Sequence, residues 1–144
     1  MRSSLLQFLA LCALPAALMA QTGAPIVPRI QVQSDKLQWT GTGIQTAAVV
    51  GNPAAPGVYV TRLRFPKGTR IMPHMHPDER VAVLLSGSLY FSYGKTFDDQ
   101  ALTRLAAGAT WTEPPNTPHF GLAKDEDAVV QVVGTGPSRT IPVK

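Results

Sequence analysis

Along the chain, short apolar stretches alternate with turn signals and never build a long amphipathic repeat. VYVTRLRF at 58–65 mixes β-branched and aromatic residues, and FPKG at 65–68 follows with Pro second and Gly fourth, the order of a type I turn. RVAVLLSG at 80–87 reads as a strand ended by Gly87, and SLYFSYG at 88–94 follows directly, so the two are expected to pair as a hairpin. TWTEPP and DAVVQVVG (127–134) complete the clear set, while RIQVQ and IQTAAVVG are weaker candidates. Strands recurring at about eight to twelve residues, with Gly and Pro between them, predict an antiparallel all-β sandwich or barrel. One segment breaks the rhythm. TFDDQALTRLAAG at 96–108 spaces Phe97, Ala101, Leu102 and Leu105 almost helically, with Asp98 as an N-cap and Gly108 past the end, which predicts one short helix or ordered loop.

Composition narrows the picture. The 144 residues suit one domain. The first twenty, MRSSLLQFLALCALPAALMA, run from a positive residue through an apolar stretch to a small one, the order of a cleaved secretory signal. The apolar run is shorter than the ~20 residues a membrane span needs and is broken by Gln7 and Pro15, so no stable membrane insertion is expected after cleavage. The expected division is a signal peptide at 1–20, an extended Pro-containing lead at 21–35 and a β-barrel domain at 36–144, in an exported protein, periplasmic or secreted. Cys12, the only cysteine, lies inside the signal, so the mature chain offers no disulfide, thiol nucleophile or thiolate ligand. Without Arg2, twelve basic residues stand against nine acidic ones. They are scattered singly, which argues against nucleic acid as a partner. No Gly-rich phosphate loop and no nucleophile elbow is present.

The chain has three histidines. His74 and His76 are separated by one residue, and in a strand alternate residues project to one face. Both can then face one ion. His119 follows in GATWTEPPNTPHFGLA, where prolines stiffen the backbone that presents it. Three neutral imidazoles with coordination positions left over form the donor set of a catalytic metal centre more than of a closed structural one. An isolated His-x-His is weak evidence by itself; its surroundings strengthen it.

Those surroundings resemble the cupin superfamily. Its first motif runs Gly, five residues, His-x-His, three or four residues, Glu, six residues, Gly; here Gly68, His74-Met75-His76 and Gly87 stand at those places. Its second runs Gly, five residues, Pro-x-Gly, two residues, His, three residues, Asn; here Gly108, Pro114-Pro115-Asn116, His119 and Ala123 correspond. The resemblance covers roughly residues 58–134 and is similar to that of small exported cupins. It implies a single-domain antiparallel β-barrel of the jelly-roll type with a metal inside its mouth. Asn116 replaces the turn glycine and is the residue that best tolerates left-handed geometry after Gly. Ala123 falls at a place that is not a regular ligand.

Counting back from Gly87 puts Arg80 where the family has its glutamate, with Glu79 one residue early. If the strand keeps the family register, Arg80, Ala82, Leu84 and Ser86 face inward and the metal has three histidines and no carboxylate. If a bulge follows the turn, Glu79 swings inward as a fourth ligand. Both faces of the strand are apolar, so periodicity does not decide; register counting favours the first. Arginine cannot ligate. An inward Arg80 would serve a substrate anion through its fork, and the plainer reading is a salt bridge to Asp78 or Glu79 at the rim. Met72, Met75, Tyr90, Phe91, Tyr93, Trp111 and Phe120 are read as core packing or dimer surface, and Glu113 as a surface turn residue with a weaker claim as a base.

The resulting expectation is a metal-dependent enzyme holding one divalent transition metal (Fe, Zn, Mn, Ni or Cu) through His74, His76 and His119. It would act on a small anionic oxygenated substrate by dioxygenase-like, isomerase or lyase chemistry. The alternative is a non-catalytic module that binds or senses a small ligand. A homodimer is implied by the resemblance alone.

Overall fold

The computed structural model describes residues 27–143 and places ten strands in two antiparallel sheets. The strands are β1 (Gln45–Val50), β2 (Gly57–Phe65), β3 (Arg70–Met75), β4 (Arg80–Ser86), β5 (Ser88–Tyr93), β6 (Thr103–Ala106), β7 (Thr110–Glu113), β8 (His119–Leu122), β9 (Ala128–Gly136) and β10 (Ile141–Pro142). One sheet has the order β1-β2-β9-β4-β7 and the other β10-β3-β8-β5-β6. They face each other as a jelly roll, and among the described residues no ladder joins one sheet to the other. The signal-peptide expectation lies outside the described residues. Among those described, no helix is long and apolar enough to cross a membrane.

Alternation builds the core. In β2, Tyr59, Thr61 and Phe65 are buried, and in β9, Ala128, Val130, Val132 and Gly134 are buried while their neighbours face outward. Leu84, Leu89 and Ala123 close the same cluster from the other strands. Each fully buried branched side chain contributes roughly 1.5–3 kcal/mol of transfer free energy, so the cluster sets which face of each strand turns inward.

Four local expectations change. β4 and β5 do not form a hairpin: β4 pairs with β7 and β9, whereas β5 pairs with β6 and β8. Gly87, at φ 76°, turns the chain from one sheet to the other, packed so closely that a Cβ there would run into the carbonyl oxygen of Asp127. The turn after β2 lies one residue later than FPKG, because Thr69 N donates to Pro66 O at 3.0 Å and puts Gly68 (φ 86°) third. A positive φ at that place is what a type II turn requires. The short helix or ordered loop expected over 96–108 takes the form of a single 3₁₀ turn at Asp99–Ala101, whose Asp98 cap accepts from Gln100 N at 2.9 Å. Thr103 to Ala106 instead join the sheet as β6, with Leu105 opposite Leu89. RIQVQ forms no strand; residues 28–33 carry no regular structure, and a 3₁₀ turn follows at Ser34–Lys36.

Candidate metal centre

β3 and β8 are neighbours, and their register sets His74 directly opposite His119. His76 follows just past the end of β3, two residues on and so on the same side as His74. The three candidate ligand atoms lie within 4.8 Å of one another. Metal–nitrogen bonds of about 2.1 Å span at most ~4.2 Å between two donors, so the group closes on one ion with small side-chain rotations.

Each ring is already oriented. Nδ1 of His74 lies 2.8 Å from Met72 O, Nδ1 of His76 2.9 Å from Arg139 O, and Nδ1 of His119 3.0 Å from Thr117 O. A carbonyl only accepts, so Nδ1 carries the proton in all three and Nε2 keeps its lone pair. Nε2 of His76 and of His119 is buried without a hydrogen-bond partner among the described residues. Leaving such an atom buried and unmatched costs roughly 1–3 kcal/mol, a cost that metal binding would remove. The donor set and its orientation therefore fit a metal ion. Burial pushes the His76 pKa down to about 4, helped by the Arg80 charge. Burial also lowers His119, even though Glu113 pulls it the other way. Both imidazoles are thus neutral at physiological pH, as ligation requires.

Glu79 is exposed and is not among the clustered ligand atoms. Arg80 faces inward with Ala82 and Leu84, while Ser86, beyond a register shift after Leu84, is exposed. Its partner, however, is neither Asp78 nor Glu79. Arg80 pairs with Glu113, the residue opposite it on β7, donating from Nε to Oε2 at 2.7 Å and from Nη2 to the same oxygen. Their side chains are only 12% and 6% exposed. The arginine read as a substrate-anion contact therefore has its charge met within the protein.

Glu113 is likewise no surface turn residue. Besides Arg80, its Oε1 accepts from Trp111 Nε1 at 3.1 Å, and its Oε2 stands 3.7 Å from His119 Nε2. Burial would raise its pKa, but Arg80 and His119 outweigh burial and hold it below the ordinary carboxylate range. Asp78 is buried and accepts from the Tyr59 hydroxyl at 2.6 Å. The Arg80–Glu113 pair spans 33 positions of sequence, and the carbonyls that orient the rings belong to residues of any type. Neither leaves a local signal in the sequence.

The three histidines, Arg80, Glu113 and Tyr59 line a cavity of about 550 Å³ between the sheets. Most of its wall is apolar, with Leu63, Phe65, Leu89, Val130 and Val132. Phe91, Trp111 and Phe120, read from sequence as packing, also face this space, and Met72 stands at its edge, 59% exposed. Of the remaining aromatic candidates, Tyr90 bonds Asp125 and Tyr93 bonds Thr112 O; these two and Met75 are not part of the wall.

Asn116 holds the turn before β8 at φ 54°, and its N–H donates to His76 O at 2.7 Å. The turn thereby ties the two histidine segments together. Gly68 N donates to Ala123 O at 2.6 Å just outside the other ends of the same two strands.

The sequence matches no family model and no curated protein. Solved structures do match. The polyketide cyclase RemF from Streptomyces resistomycificus aligns with a TM-score of 0.67 at 16% identity, covering 81% of this chain and 87% of its own. An RmlC-like cupin from Shewanella frigidimarina aligns at 0.59 and 15% identity, over 77% and 94%. KdgF from a Halomonas species aligns at 0.58 and 19% identity, over 72% and 93%. With the paired sheets and these alignments in agreement, the chain has the cupin fold.

Proposed function

We propose that this cupin binds one divalent transition metal through Nε2 of His74, His76 and His119 and is an enzyme acting on a small molecule with an oxygen donor and an apolar body. The observation that carries this reading is the set of three Nδ1–H groups tied to backbone carbonyls, which turns three lone pairs toward one another. A metal bound there supplies Lewis acidity toward a substrate oxygen. The chain does the rest: the apolar wall holds the substrate body and excludes water, and the carbonyl-anchored rings keep their donor atoms in place.

Structures of the same fold include a polyketide cyclase, a DMSP lyase and a sugar phosphate isomerase. They favour isomerase- or lyase-type chemistry here over the dioxygenase-like alternative. Glu113 does not act as the base, because three N–H donors stabilise its ionised form and make it a poor proton acceptor. That same feature supports a second reading, a non-catalytic ligand-binding module, since no other carboxylate lines the cavity among the described residues.

Elemental analysis of protein purified without a histidine tag, followed by turnover screening with and without oxygen, tests the proposal. One equivalent of metal, lost in His74→Ala and His119→Ala, is the expected result. Metal-loaded protein inert toward every class of oxygenated substrate supports the binding module instead. Unchanged metal content in both variants sinks the site.

A further inference from the structure

Three arginines and one carboxylate contribute to the cavity wall among the described residues: Arg70, Arg80, Arg139 and Glu113. Their charges are not equally available. Arg80 is spent on Glu113. Arg70 donates from Nη2 to both oxygens of Asp99, at 3.1 and 2.8 Å, and lies over the Phe97 ring. The third, Arg139, has no carboxylate partner among the described residues, and it is exposed. Its backbone carbonyl is the one that orients His76. Arg139 therefore lines the cavity beside His76, and its guanidinium is the one arginine charge of that lining without an ion-pair partner among the described residues.

We propose that Arg139 is the anion-recognition residue of this cavity and that the substrate class is an apolar-bodied carboxylate. This deepens the metal-enzyme reading of the same cavity and rests on it for the reaction, not for the recognition. A guanidinium matches a carboxylate with two parallel N–H donors. The wall behind it rewards alkyl or aromatic surface, so a compact, many-hydroxyl ligand such as a free sugar would leave its hydroxyls facing Leu63, Leu89 and Val130 without partners. Arg80 is excluded from the role because releasing it would strand the Glu113 charge in a buried setting. Arg139 carries no such obligation.

Octanoate and its neutral counterpart 1-octanol are suitable probes. Trp111 lies in the cavity, and replacing Trp39, which stacks under Arg64 elsewhere, by Phe makes Trp111 the sole fluorophore of its kind. Titrations are run on metal-loaded protein and on protein stripped with a chelator. The expected result is octanoate binding about tenfold tighter than 1-octanol in both forms, the size of one good charge contact at about 1.4 kcal/mol per tenfold. In the stripped protein Arg139→Gln abolishes the preference, and Arg139→Lys keeps part of it. Preference confined to the metal-loaded form, preference surviving in stripped Arg139→Gln, or no octanoate binding overturns the proposal. Metal content, measured separately in the same samples, reports on the metal site alone, so failure of one reading is distinguishable from failure of the other.

Discussion

Arg80 Nε donates to Glu113 Oε2 at 2.7 Å across the β4–β7 ladder, inside the cavity and not at its rim. The pair is almost fully buried, so its balance of costs is asymmetric: removing one partner leaves a desolvated charge, whereas removing both leaves none. Glu113→Gln is expected to destabilise the protein by about 3–5 kcal/mol. The double replacement Arg80→Met with Glu113→Leu is expected to recover most of that loss. Urea denaturation at neutral pH measures both. Equal losses in the single and double variants would show that the pair contributes through shape alone.

Acid should weaken the metal-free fold through the same cluster. His76 titrates at about 4 when folded and near 6.5 when unfolded, and His119 is lowered in the same direction. Below about pH 6.5 the unfolded chain takes up protons that the folded chain refuses, so stability falls with pH until the folded rings titrate. Glu113, also lowered, adds stability above the ordinary carboxylate range that is lost as pH drops through its folded value. Denaturation midpoints of metal-free protein should therefore decline steadily from about pH 6.5 towards pH 4, and His76→Asn should flatten the decline. A midpoint independent of pH over that window would contradict the buried, neutral state of these rings.

Much of this site was legible in the sequence because it is local. Strand alternation put His74 and His76 on one side, and the resemblance to the cupin motif, counted back from Gly87, put Arg80 inward at the place of that family's glutamate. The resemblance put Asn116 at the motif's turn glycine, and its chemistry tolerates the positive φ found there. What escaped was cross-strand. Glu113 looked like part of a proline-rich turn because nothing nearby in sequence reveals that Arg80 lies opposite it. The hairpin expectation failed for a related reason. Strands that abut in sequence pair across a turn only if the chain stays in one sheet, and Gly87 moves it to the other. Of the short helix or ordered loop expected near Leu102, the helical form lost to pairing between β5 and β6, where Leu105 gains a facing Leu89 that an isolated turn could not offer.

The crossover glycine makes a sharp prediction. Gly87 holds φ at 76°, which costs an ordinary residue roughly 1–2 kcal/mol, and a Cβ would also strike the backbone of Asp127. Backbone cannot rotate away as a side chain can. Gly87→Ala is therefore expected to lose more than the conformational cost alone, with a thermal midpoint lowered well beyond that of Gly108→Ala. Gly108 has a similar φ of 91° but open space around it. Matching midpoints for the two variants would mean that the chain relaxes around the new methyl group.

The bond from Asn116 N–H to His76 O links the turn before β8 to the end of β3, so the backbone of residue 116 helps set the separation of His76 and His119. Asn116→Gly should keep that geometry, since glycine reaches positive φ without strain. Asn116→Val should not, because a β-branched residue resists the left-handed region and would push the turn towards another conformation. The expected outcome is near-native stability and metal content for the glycine variant. For the valine variant we expect a loss of about 1–3 kcal/mol and weaker metal retention against a chelator. Stability reads the strain; retention reads the spacing of the ligands. Valine losing stability while holding metal as firmly as the wild type would show that His76 is positioned by its own bond to Arg139 O and not by this turn.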